Sequence, residues 1–254
     1  MIDVILPAGG RISGEFAAEA GVDVKALIEI GGRTVLQRPL DALRATGQIR
    51  RAIVIGPDEI ADHSCAKSAD AVLPEGGDSG PANILRGIEW LRETDGSRAD
   101  RVLIVTTDLP FLTPEAISVF IGSCPSDVDL CAALVSKKAF EERFPGSENQ
   151  YVKLADGEWT LGCGFLVNPE AIESNRDHIE RVFAARKSQI GMARLLGFGF
   201  IIRFLTGRLT VSHIENRCAK MLGCSGKGIR QSSPELAFDL DHIGEYRYAA
   251  NHGA

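Results

Sequence analysis

Short apolar segments alternate with helical patterns through the first half of the chain, and this alternation constrains the fold most. The segments at residues 1–7, 51–56, 71–74 and 102–107 are brief and bounded by turn residues, which predicts buried strands. Helical spacing of apolar residues follows the third segment at Ile84, Leu85, Ile88 and Leu91. Alternating strands and helices form βαβ units. We therefore expect an α/β fold with a Rossmann-like, doubly wound, mainly parallel mixed sheet.

The second half is less regular. Residues 129–135 and 164–167 fit strands, and residues 211–222 fit a helix that stops at Gly223. We predict a single domain over residues 1–254 with a helical insertion at about residues 169–226. A small separate helical lobe is the alternative. The most apolar later stretch, residues 195–205, is too short to span a bilayer and is expected to be buried, with a membrane contact as the alternative.

Two glycines follow the first predicted strand directly, as Ala8-Gly9-Gly10. Without a Cβ they let the backbone approach a ligand, and their N–H groups can face an anion. Lys25, at the far end of the loop, can return as a point charge against the same phosphates. The alternative is a plain turn followed by a surface lysine.

Asp108 comes directly after the fourth predicted strand, and Pro110 fixes the direction of the chain beyond it. Ligands of open α/β sheets gather at the carboxyl ends of strands. A carboxylate there can hold Mg²⁺ against substrate phosphates. The alternative is a helix cap, but Thr113 followed by Pro114 fits that position better. Two further carboxylates, Asp239 and Asp241, are two residues apart near the end of the chain, so both side chains face one side of an extended segment.

The residues just described belong to four longer phrases: VILPAGGRISGEFAAEAGVDVK, KALIEIGGRTVLQRPLDAL, VLIVTTDLPFLTPEAI and FDLDHIGEY. Together they resemble the MobA-like and sugar-phosphate-type nucleotidyltransferases of the glycosyltransferase-A-like fold. The resemblance implies a Mg²⁺-dependent enzyme that transfers a nucleoside monophosphate from a nucleoside triphosphate to a phosphorylated acceptor and releases pyrophosphate. Its motifs are closest to molybdenum cofactor guanylyltransferases, with sugar-phosphate nucleotidyltransferases as the alternative.

The resemblance also assigns roles to residues. It implies Lys25 and Asp108 as catalytic residues and favours Asp241 over Asp239 as the second magnesium ligand beside Asp108. Weaker matches suggest an acceptor site. Two of the assigned residues have alternatives: Lys153 also fits a solvated lysine, and Asn83, on the nucleotide side, also fits a helix cap. The implied nucleotide-binding residues are Leu6, Ala8, Gly9, Gly10, Arg11, Lys25 and Asn83, and the implied acceptor-binding residues are Gly162, Gly164 and Lys153.

Composition excludes some other functions. The net charge of −6 argues against a nucleic-acid partner, which needs clustered Lys and Arg. The six cysteines lack CxxC pairs, and the apolar N-terminal run is interrupted too early for a signal peptide, so we predict a cytoplasmic protein without a membrane partner. Its oligomeric state is left open.

Two other functions fit parts of the sequence. A glycosyltransferase would usually carry Asp-x-Asp where this chain has Thr-Asp-Leu-Pro. A non-catalytic nucleotide-binding relative is the other possibility, because Arg11 follows Gly10 directly and the loop contains Glu15 and Glu19, which are poor neighbours for a triphosphate.

Overall fold

A mixed eight-stranded sheet forms the centre of the protein. The computed structural model describes residues 1–77, 79–95, 100–185 and 188–254. The strands are β1 (Ile2–Pro7), β2 (Glu29–Ile30), β3 (Arg33–Thr34), β4 (Ile49–Ile55), β5 (Ala71–Leu73), β6 (Val102–Val105), β7 (Leu130–Ser136), β8 (Val152–Leu154), β9 (Gly157–Val167) and β10 (Gly226–Ile229). The sheet order is β10-β7-β9-β6-β1-β4-β5, with β8 paired to β9, while β2 and β3 form a separate hairpin.

Parallel pairing dominates the half of the sheet built from the N-terminal segments. Strand β1 pairs in parallel with β4 and β6, and β4 with β5. Strand β9 is antiparallel to its neighbours β6, β7 and β8, and β10 runs parallel to β7. The predicted mixed, mainly parallel α/β sheet is therefore confirmed.

Helices cover both faces of this sheet. They are α1 (Gly14–Ala20), α2 (Gln37–Ala45), α3 (Asp58–Ala61), α4 (Gly80–Asp95), α5 (Pro114–Ser123), α6 (Lys137–Arg143), α7 (Pro169–Ser174), α8 (Arg176–Ala185), α9 (Gln189–Leu196), α10 (Phe198–Leu205), α11 (Val211–Leu222) and α12 (Ile243–Asn251). Short 3₁₀ turns lie at Lys25–Leu27, Ser64–Ser68 and Pro234–Leu236. No helix in the described ranges is long and apolar enough to cross a bilayer.

Strand β1 shows how the two layers form. Its side chains alternate between the two faces of the sheet. Leu6 packs in one core with Leu40 of α2 and Phe120 of α5. Ile5 packs in another core with Leu85 of α4. The strand is apolar at every position from Val4 to Leu6 because both faces are covered.

Four details differ from the sequence-based expectations. Strand β9 is longer than predicted because it pairs with β7 along most of its length. Strand β10 was not predicted, since it contains two glycines and a lysine, and it is held by pairing with β7. A proline inside a helical pattern is expected to break the helix, but Pro39 is the third residue of α2, where its missing N–H costs no helical hydrogen bond. The predicted burial of residues 195–205 is wrong, because α10 has no buried residue.

Candidate active site

The first loop returns to its starting point, which places Lys25 beside the glycine turn. Gly10 accepts a hydrogen bond through its carbonyl oxygen from the backbone N–H of Lys25, at 2.9 Å. An antiparallel bridge between Arg11 and Val24 closes the same excursion. A Cβ added at Gly10 would lie 3.4 Å from Cδ of Lys25, so the lysine stem passes directly over the turn. Backbone pairing at the two ends of the loop thus places Lys25 next to Gly10, although the two are far apart in sequence.

Lys25 lies between two carboxylates. Its Nζ is 2.7 Å from Oδ2 of Asp108 and 2.6 Å from Oδ1 of Asp241. The side chains of Lys25 and Asp108 are each only 13% exposed, whereas that of Asp241 is 63% exposed. Burial alone lowers the pKa of Lys25, but the two carboxylates outweigh it and raise the pKa well above its ordinary value. The ammonium is therefore firmly charged.

The C-terminal segment reaches this site through packing and one backbone hydrogen bond. The N–H of Leu240 donates to the carbonyl oxygen of Asp108 at 3.2 Å. Just before it, Phe238 is buried against Phe111 and Phe144, with ring centroids 4.9 and 4.8 Å away. This aromatic anchor fixes the position of the acidic residues that follow it.

Three carboxylates consequently meet at one point. Asp108, Asp239 and Asp241 each offer an oxygen, and these atoms lie within 4.8 Å of one another. Burial first, and then the neighbouring carboxylates of Asp108 and Asp241, together raise the pKa of Asp239 to about 7 against the opposing effect of Lys25. The sequence favoured Asp241 over Asp239, but the structure brings both to Asp108. We call these three residues the acidic triad.

The acidic triad fits a divalent cation. Oδ1 of Asp108 is buried and has no hydrogen-bond partner in the described residues, which is unusual for a buried carboxylate oxygen. Carboxylate oxygens are the ligands that Mg²⁺ takes in proteins, commonly together with substrate phosphates. A cation would satisfy the orphaned oxygen and relieve the repulsion that raises the pKa of Asp239.

A cleft of about 560 Å³ opens beside Asp108. Gly9, Gly10 and Lys25 line it, and so do three groups that sequence reasoning missed: Glu75, Thr107 and Phe183. Glu75 follows β5 at the same edge of the sheet, so its position in the chain was an available signal. Phe183 comes from α8 and carried no such signal. We call this space the strand-end cleft.

The remaining predicted nucleotide-binding residues have other surroundings. Leu6 and Ala8 are buried in the core, so only their backbone is available to a ligand. The Arg11 guanidinium is engaged by Asp23 at 2.8 Å and Glu59 at 2.9 Å. Asn83 lines the strand-end cleft, and its Oδ1 accepts a hydrogen bond from the N–H of Gly76 at 2.8 Å, so it holds the loop after β5.

The three predicted acceptor residues lie on β8 and β9. Gly162 and Gly164 pass beneath Leu236, and a Cβ at Gly162 would lie 2.9 Å from the Leu236 carbonyl oxygen. Close packing therefore accounts for both glycines without a ligand. Lys153 is exposed on β8. The role of these residues in binding an acceptor stays a prediction.

A second cavity, of about 200 Å³, lies against the C-terminal segment. Asp239 and Asp241 line it together with Asn149, Thr160 and His242. We call it the tail cavity. Because Asp108 lines the strand-end cleft while Asp239 and Asp241 line the tail cavity, the acidic triad is shared by both spaces.

Comparison with known proteins places the chain in a family. The chain matches the MobA-like NTP transferase domain over residues 4–194. It is 32% identical over 94 residues to a phosphoenolpyruvate guanylyltransferase of Sphaerobacter thermophilus, an alignment that covers 36% of this chain and 43% of that protein. The chain thus spans less than half the length of this relative.

Solved structures share the whole architecture. A hypothetical transferase from Thermus thermophilus has a TM-score of 0.83 and 29% identity, with 95% of this chain and 97% of that chain covered. The 2-C-methyl-D-erythritol 4-phosphate cytidylyltransferase of Thermus thermophilus has a TM-score of 0.52 and 16% identity, with 98% and 97% covered, and shows the likeness of fold alone. The domain match includes the glycine turn, Lys25 and Asp108, and on this basis the chain belongs to the MobA-like NTP transferase domain family.

Proposed function

We propose that this protein is a Mg²⁺-dependent nucleotidyltransferase that moves a nucleoside monophosphate from a nucleoside triphosphate to a phosphorylated small molecule. The observation that carries the proposal is the position of Lys25, beside the glycine turn and between Asp108 and Asp241. A fixed cation and a carboxylate triad beside a glycine turn suit a reaction in which negative charge builds up on phosphate oxygens.

The residues of the chain divide the work between the two spaces. In the strand-end cleft, the N–H groups of Gly9 and Gly10 and the Lys25 ammonium bind the triphosphate. The acceptor occupies the tail cavity, next to the acidic triad. An acceptor phosphate oxygen attacks the α-phosphorus, a new P–O bond forms, and the bond to the leaving pyrophosphate breaks. The attacking phosphate is already ionised at neutral pH, so no general base is needed, and positioning accounts for the rate.

The acidic triad is the group that would hold Mg²⁺. When bound, the ion neutralises charge on the phosphate oxygens. Lys25 keeps Asp108 and Asp241 oriented towards the same point through its two ion pairs.

The identity of the two substrates is a further part of the proposal. GTP is the first nucleotide to test, since the Sphaerobacter relative is named a guanylyltransferase, and its phosphoenolpyruvate is the first acceptor. Molybdenum cofactor and sugar phosphates are the acceptors that the sequence motifs favour next.

The test is a panel of the four nucleoside triphosphates against phosphorylated acceptors, with Mg²⁺ present and pyrophosphate release as the measurement. The Asp108→Asn variant should lose about 10²-fold or more in rate, the size expected when a preorganised electrostatic group is removed. Asp62→Asn, at an exposed aspartate outside the site, is the matched control and should keep full activity. Triphosphate binding without pyrophosphate release from any pair would support a non-catalytic relative instead, and full turnover by Asp108→Asn would refute the role of that residue.

A further inference from the structure

Helix α10 presents apolar side chains to solvent. Phe198, Ile202 and Leu205 follow helical spacing and lie on one face, where they are 79%, 42% and 76% exposed. Phe200 points to the other side of the helix and packs against the small core around Leu209. A helix face as apolar as those usually buried in a core therefore points into solvent. An exposed apolar patch of this kind marks an interaction surface.

The charge around this face differs from that of the whole chain. Residues 188–222 contain five basic side chains and one acidic one, whereas the chain carries a net charge of −6. Arg194, Arg203 and Arg208 are exposed, and within the described ranges none of the three forms an ion pair. Elsewhere on the surface, Arg11 and Arg247 are paired with carboxylates, whereas Arg176 and Arg181 of α8 also form no ion pair among the described residues. Exposed arginines without ion pairs, on the same helix as an apolar face and in the segments next to it, favour an anionic occupant.

We propose that α10 is an interfacial helix that docks the protein on an anionic lipid surface. Phe198, Ile202 and Leu205 enter the boundary between headgroups and acyl chains, while Arg203 and Arg208 contact lipid phosphates from its edge. Long arginine side chains reach the headgroups from a helix that lies in the plane of the membrane. This contact leaves the catalytic domain outside the bilayer and is independent of the proposed reaction.

A second copy of the chain fits this face less well. Even with Phe204, which is 49% exposed on the same helix, the exposed apolar side chains of α10 present only on the order of 450 Å². This is little more than half of the roughly 800 Å² per partner that a stable interface buries. A twofold contact also places each patch against itself, so it brings like-charged arginines of the two copies towards one another. Anionic lipid supplies the opposite charge and needs no complementary protein surface.

Vesicle flotation with the full chain tests the proposal. Vesicles of phosphatidylcholine are compared with vesicles of equal parts phosphatidylcholine and phosphatidylglycerol. We expect binding to the anionic vesicles only, and a loss of roughly tenfold or more in the Phe198→Ser/Leu205→Ser variant. Val119→Ser, at a 45% exposed valine on α5, is the matched control and should bind like the wild type.

A charge variant covers the case in which the apolar variant fails to fold. Arg203→Gln/Arg208→Gln alters exposed charges only and should weaken binding to anionic vesicles by on the order of tenfold. Absence of wild-type binding to anionic vesicles, or binding that survives both double variants, would overturn the proposal. A dimer in solution that only Phe198→Ser/Leu205→Ser disperses, without vesicle binding by the wild type, would assign the face to a second copy.

Discussion

Replacing Lys25 with Met is the sharpest test of the site, because one change separates stability from activity. The lysine is the cation shared by Asp108 and Asp241, at 2.7 and 2.6 Å. Its removal leaves three carboxylates whose oxygens lie within 4.8 Å of one another. Without divalent cations the folded state must then hold like charges together in a half-buried site.

The expected loss follows from burial. Removing one partner of a buried ion pair costs about 3–5 kcal/mol in free energy of unfolding. The Asp108 side chain is 13% exposed, but that of Asp241 is 63% exposed, so solvent screens the second half of the interaction. We therefore expect Lys25→Met to lose about 2–3 kcal/mol in EDTA, which corresponds to a lowering of the melting temperature by roughly 5–10 °C.

Magnesium should reverse the stability defect and leave the activity defect. An ion held by the folded triad, as proposed, would stabilise by mass action, by about 2.7 kcal/mol at a hundredfold excess over its dissociation constant. Because the competing ammonium is gone, Mg²⁺ should raise the melting temperature of Lys25→Met more than that of the wild type. Pyrophosphate release should stay about 10²-fold lower, since the charge proposed to bind the triphosphate is missing.

Thermal melts in EDTA and in Mg²⁺ give the comparison, with Lys138→Met as the control. Lys138 is 85% exposed and 3.8 Å from Glu142, a surface pair that contributes little. Two results would refute this reasoning. One is an equal melting temperature of Lys25→Met and Lys138→Met in EDTA, and the other is a Mg²⁺-induced rise in the melting temperature of Lys25→Met no larger than that of the wild type.

Two further changes test the surroundings of the site. The folded-state pKa of Asp239 is raised to about 7 from 3.8, so its native state holds a proton that the unfolded state releases. In EDTA the protonated Asp239 therefore contributes to the free energy of unfolding below about pH 4, and about 2–4 kcal/mol of that contribution is lost as the pH rises through 7. Denaturant titrations at several pH values measure this dependence, which Asp239→Asn should flatten. An unchanged pH dependence in the variant would contradict the assignment. Gly162→Ala places a Cβ 2.8 Å from that of Ala133 and 2.9 Å from the Leu236 carbonyl oxygen, so it should cost about 1–3 kcal/mol by overpacking. Gly122→Ala, exposed in α5 with open space around it, should cost nothing, and equal stability of the two variants would remove the packing explanation.

Local patterns were enough to predict the strands that position the site. Strands β1, β4, β5 and β6 are apolar runs bounded by turn residues, and each lies within about two residues of its predicted bounds. The cap of α5 was equally readable, since the Thr113 hydroxyl accepts from the N–H of Ala116 with Pro114 at the first helical position. In these cases the backbone conformation depends on residues close in sequence.

Partners distant in sequence were not readable in the same way. Strand β10 lacks an apolar pattern and exists because β7 supplies its hydrogen bonds. Helix α10 has the composition of a core helix, yet none of the described segments covers its outer face. Whether a segment is buried depends on which other segments pack against it, and the composition of the segment does not show this.

The candidate site divides along the same line. The sequence alone determined which residues have the right chemistry, because a glycine turn after a strand and an acid at a strand end are local features: Gly9, Gly10 and Asp108 were identified in this way. Only the tertiary structure decided that Lys25 bridges Asp108 and Asp241, that Asp239 joins them, and that Phe183 lines the cleft. Loop pairing, the aromatic anchor and the placement of α8 bring these groups together, although Lys25 and Asp241 are more than two hundred residues apart in sequence. Contacts between residues so far apart are set by tertiary packing and not by any local pattern along the chain.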